Sequence, residues 1–252
     1  MALELGPRVA RHGPVGPGRD AQVQLLLLDG FSLRSAGEEV HLPAGVQRLV
    51  AFLGVQGRPL LRPYVAGTLW PDATEEHAGG NLRSALWRVH QLDLDLIDTS
   101  RSYIRLALEV SVDLHQMTVQ ARHLLDPSLE CSEADLEQGL LLGELLSGWY
   151  DDWVLIARER ARNLMLHGLE ALCERLTRLR RFGPAIEAGL SAVAGEPLRE
   201  SAHRTLIRAH LAEGNVAEAI HEYTEFRKLV RDELGVDPSP QMEELIPPLL
   251  LR

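Results

Sequence analysis

The sequence predicts an α+β winged helix-turn-helix domain at the N-terminus, followed by an all-α, tetratricopeptide-like domain. Three observations carry this expectation. Residues 23–108 read in the order small sheet, three helices, terminal hairpin. Strand patterns stop after residue 112, and apolar residues then recur at helical spacing. Within that second part Leu172, Ala185 and Ile186 return as Leu206, Ala219 and Ile220, each 34 residues later, which is the period of tetratricopeptide helix pairs.

The elements follow in order. Residues 1–21, rich in Gly, Pro and Arg and without a signal-peptide apolar run, read as a flexible tail. VQLLLL at 23–28 is an apolar strand bounded by Asp29-Gly30, and FSL and EEVHL flank a turn at Ser35-Ala36-Gly37. Pro43 opens a helix carrying Val46, Leu49, Val50 and Leu53, which Gly57 and Pro59 stop. A second helix spans 62–70 and a third 75–91. LIDTSRSYIRLAL, 96–108, then reads as two short strands around a Ser-Arg-Ser turn. Three helices closed by such a hairpin form the winged variant of the helix-turn-helix, here residues 22–110. From 111 to 252 helices are expected throughout, including one through Leu136, Leu140, Leu141 and Leu145 and one through Leu164, Leu169, Leu172 and Leu176. Small residues such as Ala185 and Ala192 suit close helix crossings, and Pro197 suits an exit turn. Two copies of the repeat are few, so the helices before residue 165 complete the stack.

The charge is uneven. The chain has 252 residues and a formal charge of −10. Eleven arginines against twelve acids leave residues 1–112 at −1, and fifteen basic against twenty-four acidic residues leave 113–252 at −9. The first part is therefore free to carry a local basic face, while the acidity belongs to the second. Lys228 is the only lysine. Cys131 and Cys173 sit in apolar helical patterns and read as buried free thiols of a reducing cytoplasm. No stretch approaches the run of about 18 uncharged apolar residues that a membrane-spanning helix needs.

The third helix carries the functional question. On a wheel at about 100° per residue, Leu82, Ala85, Leu86 and Val89 share one arc. Arg83, Ser84, Trp87 and Arg88 fall mainly opposite, with Trp87 facing away from the apolar centre. This face suits DNA: arginine pairs with guanine edges or phosphates, serine reaches a phosphate, and an indole packs on the backbone or a thymine methyl. Packing of Trp87 on the N-terminal sheet or the second domain is the alternative. Gly79-Gly80 either mark the true helix start, with Asn81 as N-cap, or permit close approach of a neighbour. In the hairpin, Thr99, Arg101, Tyr103 and Arg105 are placed to reach a minor groove or phosphates, or are ordinary loop polarity.

No catalytic signature is present: there is no GxSxG, HExxH or CxxC, and the ten histidines lack metal-ligand spacing. Neither a catalytic residue, a cofactor nor a metal site is expected. Asp151-Asp152 between Trp149 and Trp153 read as a helix start with packing aromatics.

Several stretches carry a family resemblance: LPAGVQRLVAFLGVQGRPL, LWPDATEEHAGGNLRSALWRVHQL, LLSGWYDDW, the segment 182–240 ending in ELGVDPSP, and the closing Met242-Glu-Glu-Leu. Together they resemble the Streptomyces antibiotic regulatory proteins, which pair an OmpR-like winged helix with a bacterial transcriptional activation domain. The resemblance covers roughly 22–250. It implies a cytoplasmic, sequence-specific activator of a secondary-metabolite gene cluster. Such an activator binds double-stranded DNA at direct repeats near the promoter −35 element, as a dimer on DNA, and recruits RNA polymerase including its sigma factor. Helix 75–91 would be the recognition helix and 96–108 the wing. His90 and Gln91 stand where the family usually has arginine. Without a GxxxxGK[ST] loop, the chain resembles the small, stand-alone members. The rival expectation is a tetratricopeptide-type protein-binding scaffold whose winged helix does not bind DNA.

Overall fold

A computed structural model describes residues 23–92, 94–132, 135–136 and 139–246; the expected tail at 1–21 lies outside these. Strands β1 (Val23–Leu26), β2 (Ser32–Ser35) and β3 (Glu38–Glu39) form an antiparallel meander. Its β2–β3 turn uses positive φ at Ala36 and Gly37, as the Ser-Ala-Gly pattern predicts. Helix α1 (Ala44–Gln56) follows Pro43 and ends at Gly57, whose φ of 59° lets its N–H return to the Leu53 carbonyl. α1 packs hard on the sheet: a Cβ at Gly54 would lie 2.6 Å from Leu25 Cδ2.

Then come β4 (Leu60–Leu61), α2 (Arg62–Leu69), α3 (Glu75–His90), β5 (Ile97–Thr99) and β6 (Tyr103–Leu106). Strands β4, β6 and β5 form a second, three-stranded sheet in that order. This is the winged helix-turn-helix. The hairpin matches the expected one, but β4 has no clear sequence signal; two residues are too short for alternation to show.

β7 (Ser111–Val112) is also a surprise. It runs parallel to β1, pairing Gln24 with Ser111 and Leu25 with Val112, and so extends the first sheet across the expected division at 110. The chain then turns into α4 (Asp113–Leu125). The Asp113 carboxylate takes over where the ladder ends. It accepts from the Leu27 N–H at 2.9 Å and the Leu28 N–H at 3.0 Å, besides its own Leu114 N–H at 2.7 Å.

The helix expected through 136–145 is corrected: residues 139–144 are irregular, and Leu145 forms a bridge with Leu28. Gly139, Gly143 and Leu146 take positive φ, which no helix tolerates. This segment ties the two halves together. Leu146 N–H donates to Leu27 O at 2.7 Å, and Asp29 and Glu144 exchange bonds. Arg158 fixes the segment from the other side by donating to the carbonyls of Leu145, Leu146 and Trp149. An aromatic chain crosses the joint: Phe31 stacks on Trp149 at 6.0 Å, Trp149 meets Trp153 at 6.4 Å, and Trp153 meets Phe52 of α1 edge-on at 5.1 Å. Arg48 of α1 pairs with Asp151. Asp151 and Asp152 thus open a helix, as expected, and Asp151 also bridges the halves.

The remainder is helical: α5 (Asp152–Arg178), α6 (Phe182–Gly195), α7 (Glu200–Glu213), α8 (Val216–Leu234) and the short α9 (Pro240–Glu243). The 34-residue echo becomes two helix pairs, α5–α6 and α7–α8. Leu172, Ala185, Leu206 and Ala219 are all buried at equivalent places, with Ile186 and Ile220 half-buried beside them. Helix α6 approaches α7 at Gly189, where a Cβ would stand 3.0 Å from Leu206 Cδ1. One core runs from the sheet through α6 to Ala202 and Ala209 of α7. A second, around Tyr223, Phe226 and Val230, is closed by Met242 of α9. Cys173 is buried, and burial pushes its thiol up to about 11. Cys131 departs from expectation: it is half-buried in the turn after α4, which Asp126-Pro127 has already ended. Among the described residues no helix is long and apolar enough to cross a membrane.

Candidate nucleic-acid interface

Helix α3 starts earlier than its glycines suggest. Thr74 is the N-cap; its hydroxyl accepts from the His77 N–H at 3.4 Å, and Glu75 and Glu76 complement the helix dipole in the first turn. Gly79 and Gly80 therefore lie inside the helix, and Asn81 is an exposed mid-helix residue rather than an N-cap. The capped, acidic first turn outweighs two glycines that cost about 1 kcal/mol each.

The buried stripe of α3 is Ala78, Leu82, Ala85 and Val89, against α1 and α2. Burying the two large side chains contributes about 1.5–3 kcal/mol each and fixes the roll of the helix. The roll turns Asn81, Arg83, Ser84, Trp87 and Arg88 to solvent. Trp87 is 63% exposed, so its indole packs on neither the sheet nor the helical part. The Ser84 hydroxyl donates back to the Gly80 carbonyl at 3.0 Å, leaving its oxygen as an acceptor.

The wing is the β5–β6 hairpin. Arg101 is exposed at its tip, flanked by exposed Thr99 and Tyr103. The turn is tied internally, with Ser100 N–H donating to Tyr103 O at 2.8 Å and Tyr103 N–H to Ser100 Oγ at 3.0 Å. Arg105 differs from the other predicted residues. It is half-buried and paired across the β5–β6 register with Asp98, Nη2 to Oδ2 at 2.7 Å, so its charge is locally neutralised.

Sequence reasoning missed Arg62. It begins α2, its N–H donates to Ser102 O at 3.0 Å, and its Nη1 donates to Ser100 O at 3.1 Å. Arg62 therefore joins the start of α2 to the wing tip. The Arg-Pro pair opening a helix was the available signal. Among the described residues Arg62, Arg83, Arg88 and Arg101 form no ion pair, although the chain as a whole is acidic. Arg62 and Arg83 line one cleft, and Arg83 and Arg88 share the exposed side of α3 with Trp87, so positive charge there meets no internal counter-charge.

The chain is a winged helix joined to stacked helix pairs. The comparisons agree. The model of the bacterial transcriptional activator domain matches residues 112–250. The regulatory protein AfsR of Streptomyces coelicolor is 28% identical over 83% of this chain and 22% of its own length. AfsR of Streptomyces griseus is 26% identical over 97% of this chain and 26% of its own length. The chain thus spans about a quarter of these relatives. EmbR of Mycobacterium tuberculosis, solved in complex with a low-affinity phosphopeptide, has the same fold: the TM-score is 0.69 at 19% identity, covering 91% of this chain and 65% of that one. The chain belongs to the bacterial transcriptional activator domain family, in the arrangement of the Streptomyces antibiotic regulatory proteins.

Proposed function

We propose that the chain activates transcription by binding double-stranded DNA sequence-specifically. α3 lies in the major groove through Asn81, Arg83, Ser84, Trp87 and Arg88, and the wing reaches the adjacent backbone through Thr99, Arg101, Tyr103 and Arg105. The observation that carries this reading is the outward face of α3, where Trp87 is 63% exposed between two arginines that form no ion pair. A soluble protein exposes its largest side chain at a cost, and a groove removes that cost. Two copies bind direct repeats near the −35 element as a dimer on DNA. The helical part, with its net charge of −9 in residues 113–252, meets basic surface on RNA polymerase, including sigma factor. The setting is the cytoplasm and the target a secondary-metabolite cluster, both by likeness to the family.

Electrophoretic shift on DNA upstream of the neighbouring biosynthetic genes tests this. Binding weakens with salt, and each of Arg83→Ala and Arg88→Ala lowers the slope of log affinity against log salt by about 0.9 if it contacts one phosphate. An arginine on a base edge costs about 1–3 kcal/mol and relaxes specificity instead. Unchanged affinity, slope and specificity in both variants would refute the DNA face. Absence of any salt-sensitive binding would favour the protein-binding scaffold.

A further inference from the structure

Two clefts flank the end of α2 and share Gly67, Trp70, Pro71 and Ala73. Their charges are opposite. The larger, about 680 Å³, sets Arg48 against Asp72, Asp151 and Asp152, so its lining carries −2, and Arg48 is already paired with Asp151. The smaller, about 460 Å³, opens between α2 and α3. Its ionisable lining is Arg62, Arg83 and Glu75, which sums to +1. The Arg83 side chain is exposed and makes no hydrogen bond or ion pair among the described residues. The wall between the two arginines is apolar, formed by Ala66, Trp70, Ala78 and Leu82. Gly67 lies on the rim shared with the larger cleft, and a Cβ there would meet nothing within 4 Å.

We propose that this α2–α3 cleft is a binding site for a small amphiphilic anion, an apolar carboxylate or sulfonate. Its apolar body lies between the helices against Trp70, and its charged head is held at the mouth by Arg62 and Arg83. The volume falls within the range of small-molecule sites. Arginine matches a planar anionic head with paired, charge-assisted hydrogen bonds. Burial of the body supplies the remaining affinity, which a bare anion lacks. The neighbouring cleft, with its net negative lining, repels the same ligand. Because Arg83 lies on both the cleft and the outward face of α3, an occupied cleft withdraws one arginine from that face. This last consequence rests on the DNA reading; the binding itself does not.

The test titrates the full chain with 1-anilinonaphthalene-8-sulfonate, followed by its fluorescence, with far-ultraviolet circular dichroism confirming the fold of each variant. Arg83→Ala removes the head contact and Gly67→Leu narrows the shared rim of the cleft. Each is expected to weaken the probe about tenfold or more, a loss of about 1.4 kcal/mol. Arg101→Ala removes the same charge from the wing tip, outside the cleft, and is expected to change binding less than about twofold. Decanoate is expected to displace the probe and inorganic phosphate to fail. Wild-type affinity in both Arg83→Ala and Gly67→Leu would overturn the proposal, as would phosphate displacing the probe as well as decanoate does. Where the chain shifts DNA, saturating probe is expected to weaken the shift. A chain that binds the probe as described but never shifts DNA refutes the DNA reading and leaves the cleft assignment standing.

Discussion

Replacement of Asp113 by alanine isolates the device that carries the first sheet into α4. The carboxylate accepts from Leu27 N–H, Leu28 N–H and Leu114 N–H at 2.7–3.0 Å. Leu27 is fully buried and Leu28 half-buried, so water does not readily replace the lost acceptor on the sheet side. Leu114 N–H, in the first turn of α4, is an ordinary helix-end donor. Each buried donor left without its charged acceptor costs about 1.5–3 kcal/mol, giving about 3–6 kcal/mol for the pair. For a chain of this size each kcal/mol moves the melting temperature by about 2–4 °C, so Asp113→Ala is expected to lower it by about 6–24 °C. Asp113→Asn keeps one oxygen but turns an amide toward a donor, so it falls between wild type and alanine. Thermal denaturation by circular dichroism reads all three. An alanine variant melting within about 2 °C of wild type would refute the claim that the carboxylate continues the ladder.

Other outcomes follow from the packing. Phe52 is fully buried beneath Trp153, and Phe52→Ala is expected to cost about 3–5 kcal/mol by denaturant unfolding. Gly54→Ala and Gly67→Ala should have opposite signs in the same assay. The first brings a Cβ within 2.6 Å of Leu25 and destabilises by about 1–3 kcal/mol. The second meets nothing within 4 Å and stabilises by about 0.5–1 kcal/mol through helix propensity. A disulfide thiol reagent at neutral pH should titrate Cys131 alone in the native protein and both cysteines in denaturant, since Cys173 is buried with its thiol pushed up to about 11. Rapid native labelling of Cys173 would contradict its place in the core.

The direction of Trp87 was legible because a helix of period 3.6 must bury the Leu82–Ala85–Val89 stripe, with Leu86 half-buried beside it and Trp87 on the far side. The start of the same helix was harder, since Gly79-Gly80 resemble a boundary while the cap, Thr74, lies a full turn upstream. The helix expected at 136–145 failed for a related reason. Leucines there fall at helical spacing, yet positive φ at Gly139, Gly143 and Leu146 turns the chain back onto β1. β7 left no local trace: its two residues become a strand only because β1, more than eighty positions away, offers a free edge. Arg62 likewise gains meaning only once the wing folds over it. What periodicity encodes was readable, and what depends on distant partners was not.

The joint through residues 144–158 changes how the molecule can be dissected. A fragment ending at residue 110 would look like a finished winged helix by its sequence pattern, yet it would lack the parallel partner of β1, the acceptor for two of its amides and the indoles that cover Phe31 and Phe52. Its exposed apolar sheet edge would invite self-association. Failure of such a truncation to bind DNA would therefore report damage to the scaffold and say nothing about the reading face. The shortest N-terminal piece that keeps the joint runs through Arg158, so the winged-helix unit borrows its foundation from the half of the chain that bears the activator name.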